Sequence, residues 1–181
     1  GLKLPANERL QFLAGQYIDF LLKGGERRSF SMANAPHADE LIELHVRQVA
    51  GGTFTDHVFS KMKERDILRL EGPLGSFFLR EESAKPIVFV GSGTGFAPIK
   101  SILETAFHRN VTRSMVLYWG ARRPKDLYLN ALPEKWAREH ANFKYVPVIS
   151  EARAEDAWSG RSGFVHRAVM EDLPDLSQHQ V

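Results

Sequence analysis

The 181-residue chain contains no cysteine. That excludes disulfides, and it excludes thiolate ligation of a metal or an iron–sulfur cluster within the chain. No apolar run approaches the roughly 20 residues that a membrane-crossing helix needs, and the start of the chain has no secretory-leader pattern. Neither sign of charge dominates: 24 Lys and Arg stand against 22 Asp and Glu, a formal net charge of +2. The basic residues are dispersed among acidic ones, so the clustered footprint of a nucleic-acid binder is missing. For His45 no second histidine or carboxylate at ligand spacing suggests a metal, and no metal site is expected. A reducing, cytoplasmic setting without membrane or nucleic-acid partners is the default expectation.

What is present is the composition of a folded protein. Hydrophobic residues make up 43% and charged residues 25%, enough for a core and too apolar for disorder. The length admits one large domain or two small ones. The chain starts at Gly1 rather than methionine and stops at Val181 without a tail composition. A fragment trimmed at both ends is therefore expected.

The stretch that organises the rest is Gly91-Ser92-Gly93-Thr94-Gly95-Phe96-Ala97-Pro98. The wholly apolar Ile87–Val90 runs into it, as a strand buried on both faces of a parallel sheet would. Ile99, Ile102, Leu103, Ala106 and Phe107 follow on one helical face, predicting a helix over Phe96–His108, and Pro98 suits a first helical position, where its missing N–H costs nothing. Strand, glycine turn and helix N-terminus together form a natural seat for a phosphate. The spacing departs from G-x-G-x-x-G, because the third glycine is Gly95. Small residues in a tight strand-to-helix turn would serve packing equally well.

Before this stretch, short strands with little helix predict a small antiparallel barrel. Ile18, Phe20 and Leu22 alternate, Gly24-Gly25 marks a turn, and Arg27–Met32 is a second strand. Arg28-Ser29-Phe30-Ser31 combines a phosphate-binding fork, a flat ring for stacking and a small hydroxyl. The same residues also read as an edge strand with one exposed arginine and one core phenylalanine. Leu41–Val49 alternates as a two-faced strand, with His45 and Arg47 on a solvated polar face. Gly51-Gly52-Thr53-Phe54-Thr55 enters a short helix, Asp56–Met62, with Thr53 or Thr55 as cap; it is a second possible phosphate seat. Ile67–Leu70 is a further strand, followed by a turn at Gly72-Pro73-Leu74-Gly75.

The polar stretch Glu81–Pro86 marks a domain boundary. After it, strands at Met115–Trp119 and Tyr145–Ile149 alternate with a helical stretch over Lys125–His140, broken or restarted near Pro133, and a helix over Phe164–Leu173, and Trp158–Gly163 is a loop. This predicts an open parallel sheet covered on both faces. Ligands of such sheets sit beyond the carboxyl ends of the strands. Arg122 and Arg123 lie there in place of the acidic residue that often meets a ribose, so a phosphate on that ribose is tolerated. The overall expectation is a β-barrel at 1–83 followed by an α/β domain at 84–181. Each is expected to be incomplete, and Gln178–Val181 reads as the start of a further strand.

Five stretches, in this order, resemble the ferredoxin–NADP⁺ reductase superfamily, near the bacterial NAD(P)H–flavin and CDP-6-deoxy-glucoseen reductases: Arg28–Ser31, Gly52–Thr55, Gly72–Phe77, Gly91–Pro98 and Tyr118–Arg122. The resemblance implies FAD and NAD(P)H as cofactors. It implies that Arg28 holds the flavin phosphate, Phe30 stacks on the ring and Ser31 meets its reactive edge. His45, Val46 and Arg47 would run along the ribityl and phosphate groups, and Gly52, Thr53 and Thr55 would hold the pyrophosphate. Gly91, Gly93, Thr94 and Gly95 would lie under the pyridine nucleotide, and Arg122, Ser150 and Arg153 would face its adenosine end. Ser31 and Thr94 would be the side chains nearest the reaction, with no obligatory acid or base. The implied activity is hydride transfer from NAD(P)H to bound FAD, with electrons passing to an acceptor such as a [2Fe–2S] domain outside this chain. A reductase of free flavin and a non-catalytic flavin- or nucleotide-binding module are the alternatives. The family's closing Cys-Gly-x-Pro stretch has no counterpart here.

Overall fold

The structure, a computed structural model, describes residues 1–181 apart from the side chain of Thr53. Two compact units emerge from the contacts: Gly1–Leu79 with Ala97–Ala106, and Arg80–Phe96 with Phe107–Val181.

In the first unit, β1 (Tyr17–Leu21) is the central strand of an antiparallel sheet, between β2 (Arg27–Ser31) and β3 (Leu70–Leu74). The alternation read from the sequence is realised: Ile18 and Phe20 enter a core with Phe12, Met32, Ile42 and Phe54. Each such side chain contributes on the order of 1.5–3 kcal/mol when fully buried. Bridges between Leu2 and Ile42 and between Met32 and Leu44 carry the antiparallel pairing round the barrel-like sheet.

Three expectations in this unit need correction. Leu41–Val49 is not a continuous strand and pairs only through Ile42 and Leu44. The Ala33 N–H donates to the Glu43 carbonyl within the Met32–Leu44 pairing, but the Glu43 N–H is diverted to the Asn34 side-chain oxygen. The strand expected at Ile67–Leu70 begins only at Leu70 and runs through the supposed turn at Gly72–Leu74. Pro73 is tolerated because β3 is an edge strand, where a missing N–H costs no ladder bond; Ile67 is 95% exposed. The helix α1 spans Thr53–Ser60, earlier than expected, and its N-cap is Gly52, which brings no side-chain cap.

In the second unit, β4 (Ile87–Ser92), β5 (Met115–Ala121), β6 (Phe143–Ile149) and the two-residue β7 (Arg161–Ser162) form a parallel sheet in that order. β7 falls within the expected loop. One face of the sheet, with Val88, Tyr118 and Val148, packs against Ala168 and Val169 of α4 (Val165–Asp172). Trp119, one residue out of phase with Tyr118, stacks on Phe96, and Phe143 meets Trp136 of α3 (Ala131–Glu139). The break expected near Pro133 within Lys125–His140 falls earlier: a short turn, Pro124–Asp126, precedes α3, and Pro133 lies in the first turn of α3. The Gln180 carbonyl accepts from the Val88 N–H and its N–H donates to Pro86, so the chain end pairs parallel to β4.

The helix α2 covers Phe96–His108 as expected, but after a 3-10 turn at Gly93–Gly95. Pro98 is therefore its third residue, still within the first turn where N–H groups lack helical partners. Among the described residues, no helix is long and apolar enough to cross a membrane.

Candidate functional site

In the second unit the glycine turn sits at the carboxyl end of β4, where open parallel sheets receive ligands. Gly93 has φ +52°, and a Cβ built on Gly93 or Gly95 would meet no atom within 4 Å. Neighbouring atoms therefore do not force glycine at either position. Instead the glycines leave bare backbone facing open space, which is the cradle a pyrophosphate requires. The Trp119 indole N–H donates to the Gly93 carbonyl at 3.0 Å. Trp119 is fully buried, stacked on Phe96 with centroids 4.1 Å apart, so the turn is fixed from beneath. Gly91 lies level with Trp119 in the sheet, and Thr94 is half-buried in the turn.

Beyond the carboxyl ends of β5 and β6 lie Arg122, Arg123, Ser150 and Arg153. Backbone bonds from Ser150 N–H to Ala121 and from Glu151 N–H to Arg122 stitch the two loops together. The Ser150 hydroxyl is 3.4 Å from the Ala121 carbonyl. Arg123 donates through Nε and Nη2 to both oxygens of Asp156 at 2.6 Å, and through Nη2 to Glu155 at 3.1 Å. These hydrogen bonds raise the Arg123 pKa and hold Asp156 down at about 2. Arg122 stands 3.7 Å from Glu151, and Arg153 stands 3.6 Å from Glu155. Sequence reasoning singled out the arginines and missed these acids, although the run Glu151-Ala-Arg-Ala-Glu-Asp156 was the available signal.

In the first unit β2 ends at Ser31, level with Tyr17 of β1. Arg28 is exposed and pairs with Glu26 at 2.9 Å. Phe30 is partly buried, its ring 5.8 Å from that of Phe20 and 5.4 Å from that of Phe54. Ser29 lies on the opposite face, donating to Asp19 at 2.6 Å. Val46 is half-buried and Arg47 exposed. His45 is not solvated as expected: its side chain is only 8% exposed, and Nε2 lies 2.8 Å from Glu43. A Cβ on Gly52 would come within 2.6 Å of the Thr55 hydroxyl, which itself lies within hydrogen-bonding distance of the Val49 and Gly52 carbonyls. The Thr55 hydroxyl thus shapes the entry to α1 rather than capping it. The side chain of Thr53, singled out from the sequence, lies outside the described residues.

A buried polar cluster in the first unit escaped the sequence reading. The Lys100 ammonium donates to the Ala33 carbonyl at 3.1 Å and lies 3.0 Å from both Glu43 and Glu104. Ser101 donates to the Asn34 carbonyl at 2.7 Å. Partial burial works to raise the Glu43 pKa, but hydrogen bonds from His45 and Lys100, with the lysine charge, hold it below the usual value.

Comparison with known proteins divides the chain near the same point, but assigns Ala97–Ala106 to the second part. Residues 1–79 match the family model of the oxidoreductase FAD-binding domain, and residues 89–181 match that of the oxidoreductase NAD-binding domain. The chain is 47% identical over 180 residues to the CDP-6-deoxy-L-threo-D-glycero-4-hexulose-3-dehydrase reductase of Yersinia pestis, covering 99% of this chain and 53% of that protein. It is 42% identical over 182 residues to reductase component 2 of the terephthalate 1,2-dioxygenase of a Comamonas species, covering 99% and 53%. Among solved structures, a cytochrome P450 reductase of Amycolatopsis superposes with a TM-score of 0.85 at 39% identity, over 96% of this chain and 53% of that one. The chain spans about half the length of the curated relatives it matches.

Proposed function

Because this chain belongs to the ferredoxin–NADP⁺ reductase superfamily of FAD- and NAD-binding oxidoreductases, we propose that the whole protein is a flavin-dependent reductase: NADH or NADPH delivers a hydride to bound FAD, and electrons pass on to a separate acceptor. The cofactors supply that chemistry when bound. The protein binds, orients and excludes water. The observation that carries the reading is the glycine turn, whose bare backbone at Gly93 and Gly95 opens onto free space at the carboxyl end of β4.

In this reading the exposed Arg28 guanidinium holds a flavin phosphate, exchanging its surface pair with Glu26 for a stronger acceptor. Phe30 offers the uncovered part of its ring to the flavin, and Ser31 orients the reactive edge. His45, Val46 and Arg47 flank the ribityl chain, and the N-terminus of α1, entered through Gly52 and Thr55, faces the pyrophosphate. Gly91 and Thr94 complete the nucleotide cradle, and Arg122, Ser150 and Arg153 meet the adenosine end. The flavin-binding part takes residues 1–83 and the nucleotide-binding part 84–181. The relatives named as reductase components support an acceptor that is a protein partner or a further domain; the acceptor chemistry in this proposal is a [2Fe–2S] group. The setting is cytoplasmic.

The visible spectrum of the purified full-length protein tests this. It should show flavin bands, or acquire them on mixing with FAD, and these should bleach when NADH or NADPH is added anaerobically. A protein that neither carries nor takes up flavin would sink the proposal.

A further inference from the structure

We infer that the loops following β5 and β6 select a pyridine nucleotide whose ribose is unphosphorylated, NADH over NADPH, because Glu151, Glu155 and Asp156 engage the arginines that would otherwise bind a 2′-phosphate. The inference rests on the proposed function, since it assigns the adenosine end of the nucleotide to these loops.

A ribose 2′-phosphate is close to a dianion near neutral pH, and it is best held by a guanidinium fork free to donate two parallel bonds. Arg123 has that geometry, but its fork is committed to Asp156 through two bonds of 2.6 Å, with a third to Glu155 at 3.1 Å. The pair is well shielded, with side-chain exposures of 15% for Arg123 and 13% for Asp156. Asp156 is in turn fixed by the Arg153 backbone N–H at 2.9 Å. A phosphate capturing Arg123 would strand the Asp156 carboxylate, poorly solvated, beside a second negative group. The two more exposed arginines are also matched: Arg122 lies 3.7 Å from Glu151, and Arg153 lies 3.6 Å from Glu155. With Lys125 and Asp126 counted, four cations stand against four carboxylates in these loops, so a dianion gains no net charge there. A neutral ribose hydroxyl can instead donate to a carboxylate, the arrangement by which nucleotide-binding α/β folds recognise the unphosphorylated ribose. The adjacent arginines in the sequence suggested tolerance of the phosphate; their partners reverse that reading.

The test uses the full-length, flavin-loaded protein and two probes that differ only at the ribose 2′ position, 5′-AMP and 2′,5′-ADP, titrated by calorimetry. The wild type should bind 5′-AMP at least about tenfold more tightly. Glu151 and Glu155 are 64% and 68% exposed at the side chain, so Glu151→Gln and Glu155→Gln should fold normally. Each should shift the ratio towards 2′,5′-ADP, and the double variant should move it by about tenfold. A purely structural role would weaken both probes alike and leave the ratio unchanged. Equal affinities in the wild type, or an unmoved ratio in the double variant, overturns the inference while leaving the proposed function standing. If neither probe binds although NADH bleaches the flavin, the adenosine assignment is wrong and the inference falls with it. If neither NADH nor NADPH bleaches the flavin, the proposed function itself has failed.

Discussion

Replacing Gly93 and Gly95 by alanine separates a turn that binds a ligand from one that merely turns. A Cβ at either position would touch nothing within 4 Å, so neither substitution creates a clash. Gly93 has φ +52°, a left-handed conformation costing a non-glycine residue about 1–2 kcal/mol. The narrower unfolded ensemble of alanine offsets about 0.4–1 kcal/mol of that. Gly93→Ala should therefore lower stability by about 1 kcal/mol. Gly95 is not in that region, so Gly95→Ala should be neutral or slightly stabilising. If the turn were only a packing device, Gly95→Ala would be silent in every assay. If a pyrophosphate lies on the bare backbone, the added methyl occupies space the ligand needs, and the nucleotide dissociation constant should rise at least about tenfold, ~1.4 kcal/mol. Urea unfolding gives the first quantity, and titration of the flavin-loaded full-length protein with nucleotide gives the second. Wild-type nucleotide affinity in Gly95→Ala would refute the placement of the pyrophosphate, whatever happens to Gly93→Ala.

Arg28→Ala should weaken FAD binding by about 1.5–3 kcal/mol, the range of a hydrogen bond to a charged group, as read by quenching of flavin fluorescence. Lys100→Met removes the donor shared by Ala33, Glu43 and Glu104; with both carboxylates partly solvated, urea unfolding should show a loss of about 1–3 kcal/mol. Glu43 has a folded pKa below its ordinary value of 4.5, so its contribution is present above that pH and is lost as pH falls through the lowered value; thermal unfolding of Glu43→Gln should show a flatter acid limb than the wild type. Tyr118 donates to Asp172 at 3.0 Å, and burial together with that carboxylate pushes its phenol up to about 12; ultraviolet titration should find it there, and Tyr118→Phe should cost about 1 kcal/mol.

The elements legible in the sequence were those whose pattern and packing agree. Ile99, Ile102, Leu103 and Ala106 lie on one helical face and are buried, and α2 has the expected limits. Tyr118 and Trp119 lie on a continuous apolar strand and enter opposite faces of the sheet, which is why no alternation was visible in β5. Leu41–Val49 shows where the reasoning stops. Its alternation is that of a strand, but whether its backbone joins a ladder depends on Asn34, whose side chain takes the Glu43 N–H. The two residues of β7 are a strand only because β6 is beside them. The glycine turn and Arg28–Ser31 stood out because glycine and arginine carry their chemistry locally. The partners of Arg123 lie 32 and 33 residues away, and Lys100 is 57 residues from Glu43, so their pairing is a property of the fold rather than of any window of sequence.

That pairing also bears on how the first unit keeps its candidate flavin strand in register. β2 ends at Ser31, and the chain then runs through Met32, Ala33 and Asn34, all buried. A buried carbonyl that no ladder bond takes must be satisfied some other way. Ala33 and Asn34 do so through two residues of α2, the Lys100 ammonium and the Ser101 hydroxyl. Leucine at both positions would suit an amphipathic helix better, but it would leave two buried carbonyls without these donors, each at a penalty of about 1–3 kcal/mol. The two bonds define where the chain beyond Ser31 must lie, because a shift of one residue in β2 would exchange the faces of Phe30 and Ser31 and misplace both acceptors. Polar side chains on α2 thus fix the register of the strand that carries Arg28, Phe30 and Ser31, a constraint that hydrophobic packing alone does not impose.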